Sequence, residues 1–449
     1  MTCFFSVHRI DNDERIVVNY DMFLEEMMKK IIAVASALAV LSCGTVFAQN
    51  AKKDDSGRVK LEMYYYKQEN QEGLKNIVKA FEAENPDISI DMLIIPNDAD
   101  AAMSARAAQG ALPAIMQMQS YSRVKEYAEK GYLVDLSKEP ALSKVVPSSL
   151  PAVTYNGKYY ALPMDFAGIG IIYNKDIFKK YHVKAPTTYR ELEQACKTLK
   201  AHKIVPFAAL LKENWSVGHF ITMIHTALLQ GKNISPDKFV ADMNAGKTSY
   251  GVVDTAKLFK IMDFYRANMN DNAAEMGGGE QQQSFAKGES AMMVNGLWAY
   301  VDAKKLNPKL NAGFIPFPVY NDAKLNKLYA DVDSTFGVSS QSTKEEQAAS
   351  VKFINWLSTP KAQKLWVSEY KLTNSFKGGD FSSLGGPFND LMKSVGAKGS
   401  LPWAFSQYPS EVFEDACKNG AQQYMMKARS ASDVIKTIDA QWQAAAAKK

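Results

Sequence analysis

Basic clusters are missing from this chain. Its formal net charge of +5 is spread along 449 residues without the runs of Lys and Arg that would track a phosphate backbone, so nucleic acid is not a partner. Catalytic signatures are missing as well. The stretch 245-AGKTS-249 has Ala241 where a phosphate loop needs its first glycine. Gly277-Gly278-Gly279 lacks the G-x-G-x-x-G spacing and reads as a mobile loop. His219 and His225 stand six residues apart, off a common helical face, which sets aside a helical pair of metal ligands. There is no G-x-S-x-G and no cysteine in a polar, His-paired setting. Repeats and coiled-coil heptads are absent.

Cysteine is scarce, with four in the chain. Only Cys196 and Cys417 lie beyond the N-terminal export segment described below, so one disulfide between them in an oxidising compartment, or two free thiols, are the alternatives. Both sit on apolar helical stripes (Leu192, Ala195, Cys196, Leu199; Val412, Phe413, Ala416, Cys417), where a thiol packs as a small hydrophobe.

What is present is an ordinary globular composition, 47% hydrophobic and 22% charged, with length enough for two or three domains. Residues 28–48, MKKIIAVASALAVLSCGTVFA, have the basic, apolar and small-residue parts of a secretory signal. The apolar segment Ile31 to Leu41 is too short to span a bilayer. Cleavage after Ala48 follows from Val46-Phe47-Ala48; the alternative, a loose lipobox, would leave a lipid anchor on Cys43. Six acids in residues 1–27 sit badly before an export signal, so translation is expected to begin at Met27 or Met28. Loss of residues 1–48 removes four bases and six acids and leaves a net charge of +7.

Residues 49–58 are polar and predict a flexible tether. Val59 to Tyr66, a helical stripe through Leu74, Ile77, Val78 and Phe81, and the alternation Ile88, Ile90, Met92, Ile94 then form a β-α-β unit. Pro113 to Met118 reads as the next buried strand. Asn156-Gly157 marks a hairpin, and Phe166 to Lys175 contains another strand. Thr188 with Glu191 and Thr343 with Glu346 are spaced as capping boxes. Residues 311–320 are extended, because Pro316 and Pro318 forbid a helix. Alternating strands and helices imply an α/β fold with mostly parallel sheets flanked by helices.

Asp165, Asp331 and Asp333 fall near strand ends or hinges, where a cleft would form. Two carboxylates at a fixed separation would serve a glycosidase. Equally, they would accept hydrogen bonds from sugar hydroxyls, and nothing in the sequence separates one acid from another as catalysis requires.

Taken together, the ordered stretches resemble the family 1 extracellular solute-binding proteins, the maltose-binding-protein-like carbohydrate receptors of ABC importers. LEMYYYKQENQEGLKNIVKAFEAENPDISIDML is similar to the family's first β-α-β unit. AAQGALPAIMQMQS and YAEKGYLVDLS follow as its next elements. Then come the Y-N-G-K, A-x-P, Y-N-K and P-T-T-x-x-E-L elements of residues 155–192, F-A-x-G-x-x-A-M-x-x-N-G-x-W, GFIPFP, and QAASVKFINWLSTPKAQKLW. The resemblance runs from about residue 58 to the end. The chain departs from the pattern at Tyr64-Tyr65-Tyr66, where the family often has tryptophan, and follows it loosely after Gly378.

The resemblance implies a two-lobe α/β fold: residues 59–162 and 319–370 in lobe one, 163–318 and 371–449 in lobe two. Extended hinge segments near 162–166, 312–320 and 370 would join the lobes, and closure of the hinge would trap the ligand. It implies an extracytoplasmic, monomeric binding protein that takes a carbohydrate to ABC transporter permease subunits, without chemistry, cofactor or metal. Ligand contacts carry over to Tyr65, Gln68, Glu69, Gln119, Ser120, Asp165, Trp215, Trp298, Asp331 and Asp333. Trp403 is added, with core packing as its competing role. Strand register could turn Tyr65 or Asp333 away. Trp356 and Trp366 belong to packing. A secreted glycosidase and a receptor for a non-sugar solute are the alternatives.

Overall fold

The structure, a computed structural model, describes residues 51–67, 70–95 and 99–448. The signal segment, Cys43, Gln68 and Glu69 lie outside the described residues. In chain order the strands that frame the molecule are β1 (Val59–Tyr65), β2 (Ile88–Ile94), β3 (Ile115–Gln119), β4 (Leu162–Pro163), β5 (Phe166–Asn174), β6 (Val205–Ala208), β7 (Ser290–Gly296), β8 (Ala312–Ile315), β9 (Leu328–Val332), β10 (Ser334–Val338) and β11 (Ser400–Leu401). They form two separate sheets. The first has the order β2-β1-β3-β10-β4, and the second β11-β9-β5-β7-β6 with β8 also paired to β5.

Around β1 the first sheet is parallel, as the β-α-β unit predicts. Helix α1 (Gln71–Glu84) buries Leu74, Ile77, Val78 and Phe81 against it, the same stripe legible in the sequence. The second sheet is mixed. Its long strand β5 runs antiparallel to β7, β8 and β9. Its entry is direct: only Met164 and Asp165 separate it from β4, so the chain walks straight from one sheet into the other with no helix between them.

The second passage between sheets differs from the expected one. Segment 312–320 does not cross. Instead β8 adds to β5, Phe317 and Val319 are buried in the core of the second lobe, and β9 continues in that same sheet. The crossing is at Asp333, the single residue between β9 and β10. Prolines 316 and 318 keep the segment extended, but an extended segment serves as an edge as readily as it serves as a hinge. Residues 319–332 therefore sit with the second sheet.

The third passage follows a π-helical turn, Trp366–Tyr370, which ends on Lys371 with φ 63°. The first passage is stitched to each of the other two. Asp333 N donates to Asp165 O at 3.0 Å, Ser375 N to Met164 O at 2.7 Å, and Met164 N to Ser334 O at 3.0 Å.

Local signals hold where they rest on neighbours in sequence. Both capping boxes form, at the starts of α2 (Tyr189–Ala201) and, later in the chain, of Lys344–Leu357. Asn156 and Gly157 turn the hairpin with φ 47° and 74°. Residues 51–58, read as tether, are held instead: Lys60 N donates to Lys52 O at 2.8 Å, and Lys52 N to Glu346 at 3.3 Å. Cys196 and Cys417 are buried and unpaired. Burial pushes the Cys196 thiol up to about 12.

Candidate functional site

The two lobes enclose a cleft of about 1210 Å³, at whose walls the sheets' strand ends meet loops and helix starts. Helix α3 (Asn214–Gly231) enters the cleft at its N-terminus. Trp215 and His219, four residues apart, share the face that lines it. The Trp215 indole is held from behind: its Nε1 donates to Glu213 Oε2 at 2.6 Å, and Glu213 Oε1 accepts from Gly278 N at 3.0 Å. Gly277-Gly278-Gly279 is thus an ordered helix start rather than a mobile loop. It opens α4 (Gly278–Ala286), with Glu280 bonded back to Gly277 N at 3.0 Å. A Cβ at Gly277 would stand 3.0 Å from the Glu213 carboxylate, so glycine leaves room for the anchor.

Trp298, in the first turn of α5 (Leu297–Leu306), lines the cleft and also packs against the two largest hydrophobic clusters, which cover the two faces of the second sheet. Gly296 before it has an extended backbone, φ −82° and ψ 164°, that any residue adopts. Glycine is needed for another reason. A Cβ there would lie 2.1 Å from the indole ring, so the six-membered ring of the indole occupies the space that any side chain at this position would need. Trp403 meets it edge-on at 6.3 Å.

On the first lobe, strand parity decides. Tyr65 is wholly buried, its hydroxyl 3.1 Å from that of Tyr370, whereas Tyr64 and Tyr66 turn to the other face of β1 and line the cleft. The expectation for Tyr65 is one register step off. Gln119 lines the cleft as expected, and so does Asp333. Ser120 does not: it is buried, with its hydroxyl on Val332 O at 2.7 Å.

Asp331 is buried and saturated, accepting from Val332 N (2.7 Å), Trp403 N (3.1 Å) and the Tyr121 hydroxyl (3.1 Å). It fastens β9 to both lobes instead of facing the cleft. Trp403 is core, 2% exposed, with its Nε1 on Tyr329 O.

Asp165 is fully buried. Lys67 Nζ lies 2.7 Å from Asp165 Oδ2 and 2.6 Å from Asp333 Oδ2, and the Ser334 hydroxyl donates to Asp165 at 2.5 Å. Burial would lower the Lys67 amine, but the two carboxylates outweigh it and hold it well above the usual range. Burial raises the Asp165 carboxyl, and Asp333 adds to the rise against the opposing pull of Lys67. Asp165 is therefore a hinge residue, and Lys67, which sequence reading passed over, is the cation that joins the first two crossings. Its signal would have been the two acids at predicted crossings, which need a partner once buried.

Also missed were Tyr66, Arg123, Tyr127 and His219. The last three pair at helical spacing with each other or with Trp215, a pattern visible once one member is placed. His219 lies in a stack with Phe405 (4.5 Å) and Phe413 (5.6 Å), and with Trp215 edge-on. Burial, with the nearby Lys418 charge, pushes its imidazole down to about 3. Among the described residues, no group of three His, Cys, Asp or Glu is placed to hold a metal ion.

The comparisons with known proteins agree with this geometry. The multiple sugar-binding protein of Streptococcus mutans is 26% identical over 341 residues, covering 74% of this chain and 78% of that protein. The maltodextrin-binding protein MdxE of Bacillus subtilis is 24% identical, covering 72% and 75%. Among solved structures, RafE in complex with raffinose superposes with a TM-score of 0.74 at 22% identity, covering 86% of this chain and 99% of that one. A sugar transporter from Bacillus licheniformis in complex with stachyose gives 0.72 at 19%, covering 86% and 99%. A family model for bacterial extracellular solute-binding proteins matches residues 67–364, and the chain belongs to that family.

Proposed function

We propose that this protein captures an oligosaccharide between its lobes and hands it unchanged to the permease of an ABC importer. The carrying observation is the cleft itself. Two indoles of the second lobe, Trp215 and Trp298, and tyrosines of the first, Tyr66 and Tyr127, bound a space of about 1210 Å³. Flat aromatic faces suit the C–H patches of sugar rings, and the volume exceeds the roughly 300–1,000 Å³ of ordinary small-molecule sites. Gln119 and Asp333 offer hydrogen-bonding groups for hydroxyls. The names of the relatives, sugar- and maltodextrin-binding proteins, support the same ligand class.

Binding without turnover is favoured over glycoside hydrolysis by the fate of the three acids. Asp165 and Asp331 are buried and engaged, and Asp333 is ion-paired to Lys67. Among these three, no pair is left as a free acid and base across the cleft. Export follows from residues 28–48, with cleavage after Ala48 or lipidation at Cys43; mass spectrometry of the mature N-terminal peptide distinguishes them.

Isothermal titration against raffinose, stachyose, maltotriose and chitotriose tests the function. Stoichiometric binding with the sugar recovered intact is expected. Cleaved product would establish an enzyme, and no heat with any of the four sugars would remove the oligosaccharide reading.

A further inference from the structure

We propose that His219 is a specificity-determining contact that reads a sugar hydroxyl through its Nε2; this rests on the oligosaccharide reading above. The ring sits where a phenylalanine would suffice for packing. Phe405 and Phe413 stack beside it, at interplanar angles of 28° and 7°, and Trp403 stacks at 6.4 Å. Placing an imidazole in such a stack carries a desolvation cost that a phenyl ring avoids, unless its nitrogens find partners. Among the described residues they do not. Nδ1 is buried with no hydrogen-bond partner, and the ring lines the cleft, which leaves Nε2 as the nitrogen available to a bound molecule.

The surroundings fix both the position and the charge of the ring. Trp215 lies one turn earlier on α3, so a sugar ring stacked on that indole presents its edge toward His219. Gly218, the preceding residue, lets the Lys418 stem cross the helix, since a Cβ there would stand 2.6 Å from Lys418 Cγ. Lys418 pairs with Glu414 and lies over the Phe413 ring at 4.9 Å. Glu411, Glu414, Asp415 and Lys418 are the charged groups that line the cleft from the neighbouring turn, and the Lys418 ammonium adds to burial in keeping the imidazole neutral. In a neutral imidazole Nε2 either donates or accepts according to the tautomer, so it can take up a hydroxyl in either role, whereas in a cation it only donates.

The test compares wild-type protein with His219→Phe by titration against raffinose, stachyose, maltotriose and chitotriose. Phenylalanine keeps the stack. The expected result is folding with an unchanged or higher Tm and affinity for the bound sugar reduced about tenfold or more, because a sugar hydroxyl loses its partner. Equal affinity in the two proteins overturns the inference while leaving the oligosaccharide reading intact; failure of the wild type to bind any of the four removes both. Should the variant fail to fold, wild-type protein labelled with ¹⁵N-histidine decides. A shift of the His219 Nε2 resonance on saturation with the tightest-binding sugar of the four supports the contact, and an unmoved resonance refutes it.

Discussion

Trp298 holds two roles at once, and its substitution should report both. Because the indole lies over Gly296 and meets Trp403 edge-on, Trp298→Ala is expected to weaken sugar binding and also to cost about 2–3 kcal/mol of stability, below the cost of a fully buried tryptophan. Gly296→Ala should displace the indole without removing it. Titration and denaturant unfolding of the two variants separate the contributions: a Tm unchanged in Trp298→Ala would show a platform that only rests on the surface. Histidines 219 and 225 set an acid limit. Burial depresses both to about 3 from 6.5, with the Lys418 charge adding to the fall at His219. The unfolded chain therefore binds protons that the folded one refuses, so the stability of the neutral rings is complete above pH 6.5 and is lost as pH falls toward 3. Each ring contributes a slope of about 1.4 kcal/mol per pH unit in that window. His219→Phe should remove one of the two slopes in unfolding measured from pH 7 to pH 4.5; an unchanged slope would mean that the ring is hydrated in the folded state. At this scale, sequence reading found Gln119, Trp215, Trp298 and Asp333 on the cleft wall and missed Tyr66 and Lys67. The difference between Tyr65 and Tyr66 is a single step of strand parity, and three successive tyrosines give no contrast by which to choose.

Among the elements, the start of α4 acts on the cleft through an intermediary. Its Gly278 N–H fixes Glu213, and Glu213 fixes the Trp215 indole. Glu213→Ala should leave Trp215 in place but free to rotate, so that binding must order it again. The expectation is an affinity loss of about tenfold, with a stability change below about 1 kcal/mol, the worth of one anion at a helix start. Titration with unfolding in parallel checks this, and full affinity in the variant would show that the indole is oriented by packing alone. The sequence displayed helices and strands whose causes are local: the α1 stripe, both capping boxes and the Asn-Gly turn. It displayed poorly what depends on distant partners. Gly277 to Gly279 read as a loose loop because Glu213, its reason for order, lies some sixty residues away in the chain. Segment 311–320 read as a hinge because prolines specify extension without specifying to which sheet the extended chain belongs.

For the molecule as a whole, Lys67 is the tie between lobes that most exceeds its size. One amine serves two carboxylates on two crossings, with side chains of Lys67 and Asp165 at most 3% exposed. Lys67→Met would leave a buried acid, Asp165, facing the partly exposed Asp333 across the hinge, and a cost of about 3–5 kcal/mol is expected. Denaturant unfolding measures it, and small-angle scattering with and without sugar would show whether the remaining hinge still closes. A variant as stable as wild type would mean that the acids find other partners or take up a proton. The three crossings have a mechanical consequence of their own. Met164–Asp165, Asp333 and Asn374–Ser375 are bonded side by side like the leaves of a flexure, and such a joint bends about one line while resisting slip along it. Rotation about that line would keep Trp215 and Trp298 in the same lateral alignment with the tyrosines opposite, so sugar chains of different length are expected to be met by different opening angles.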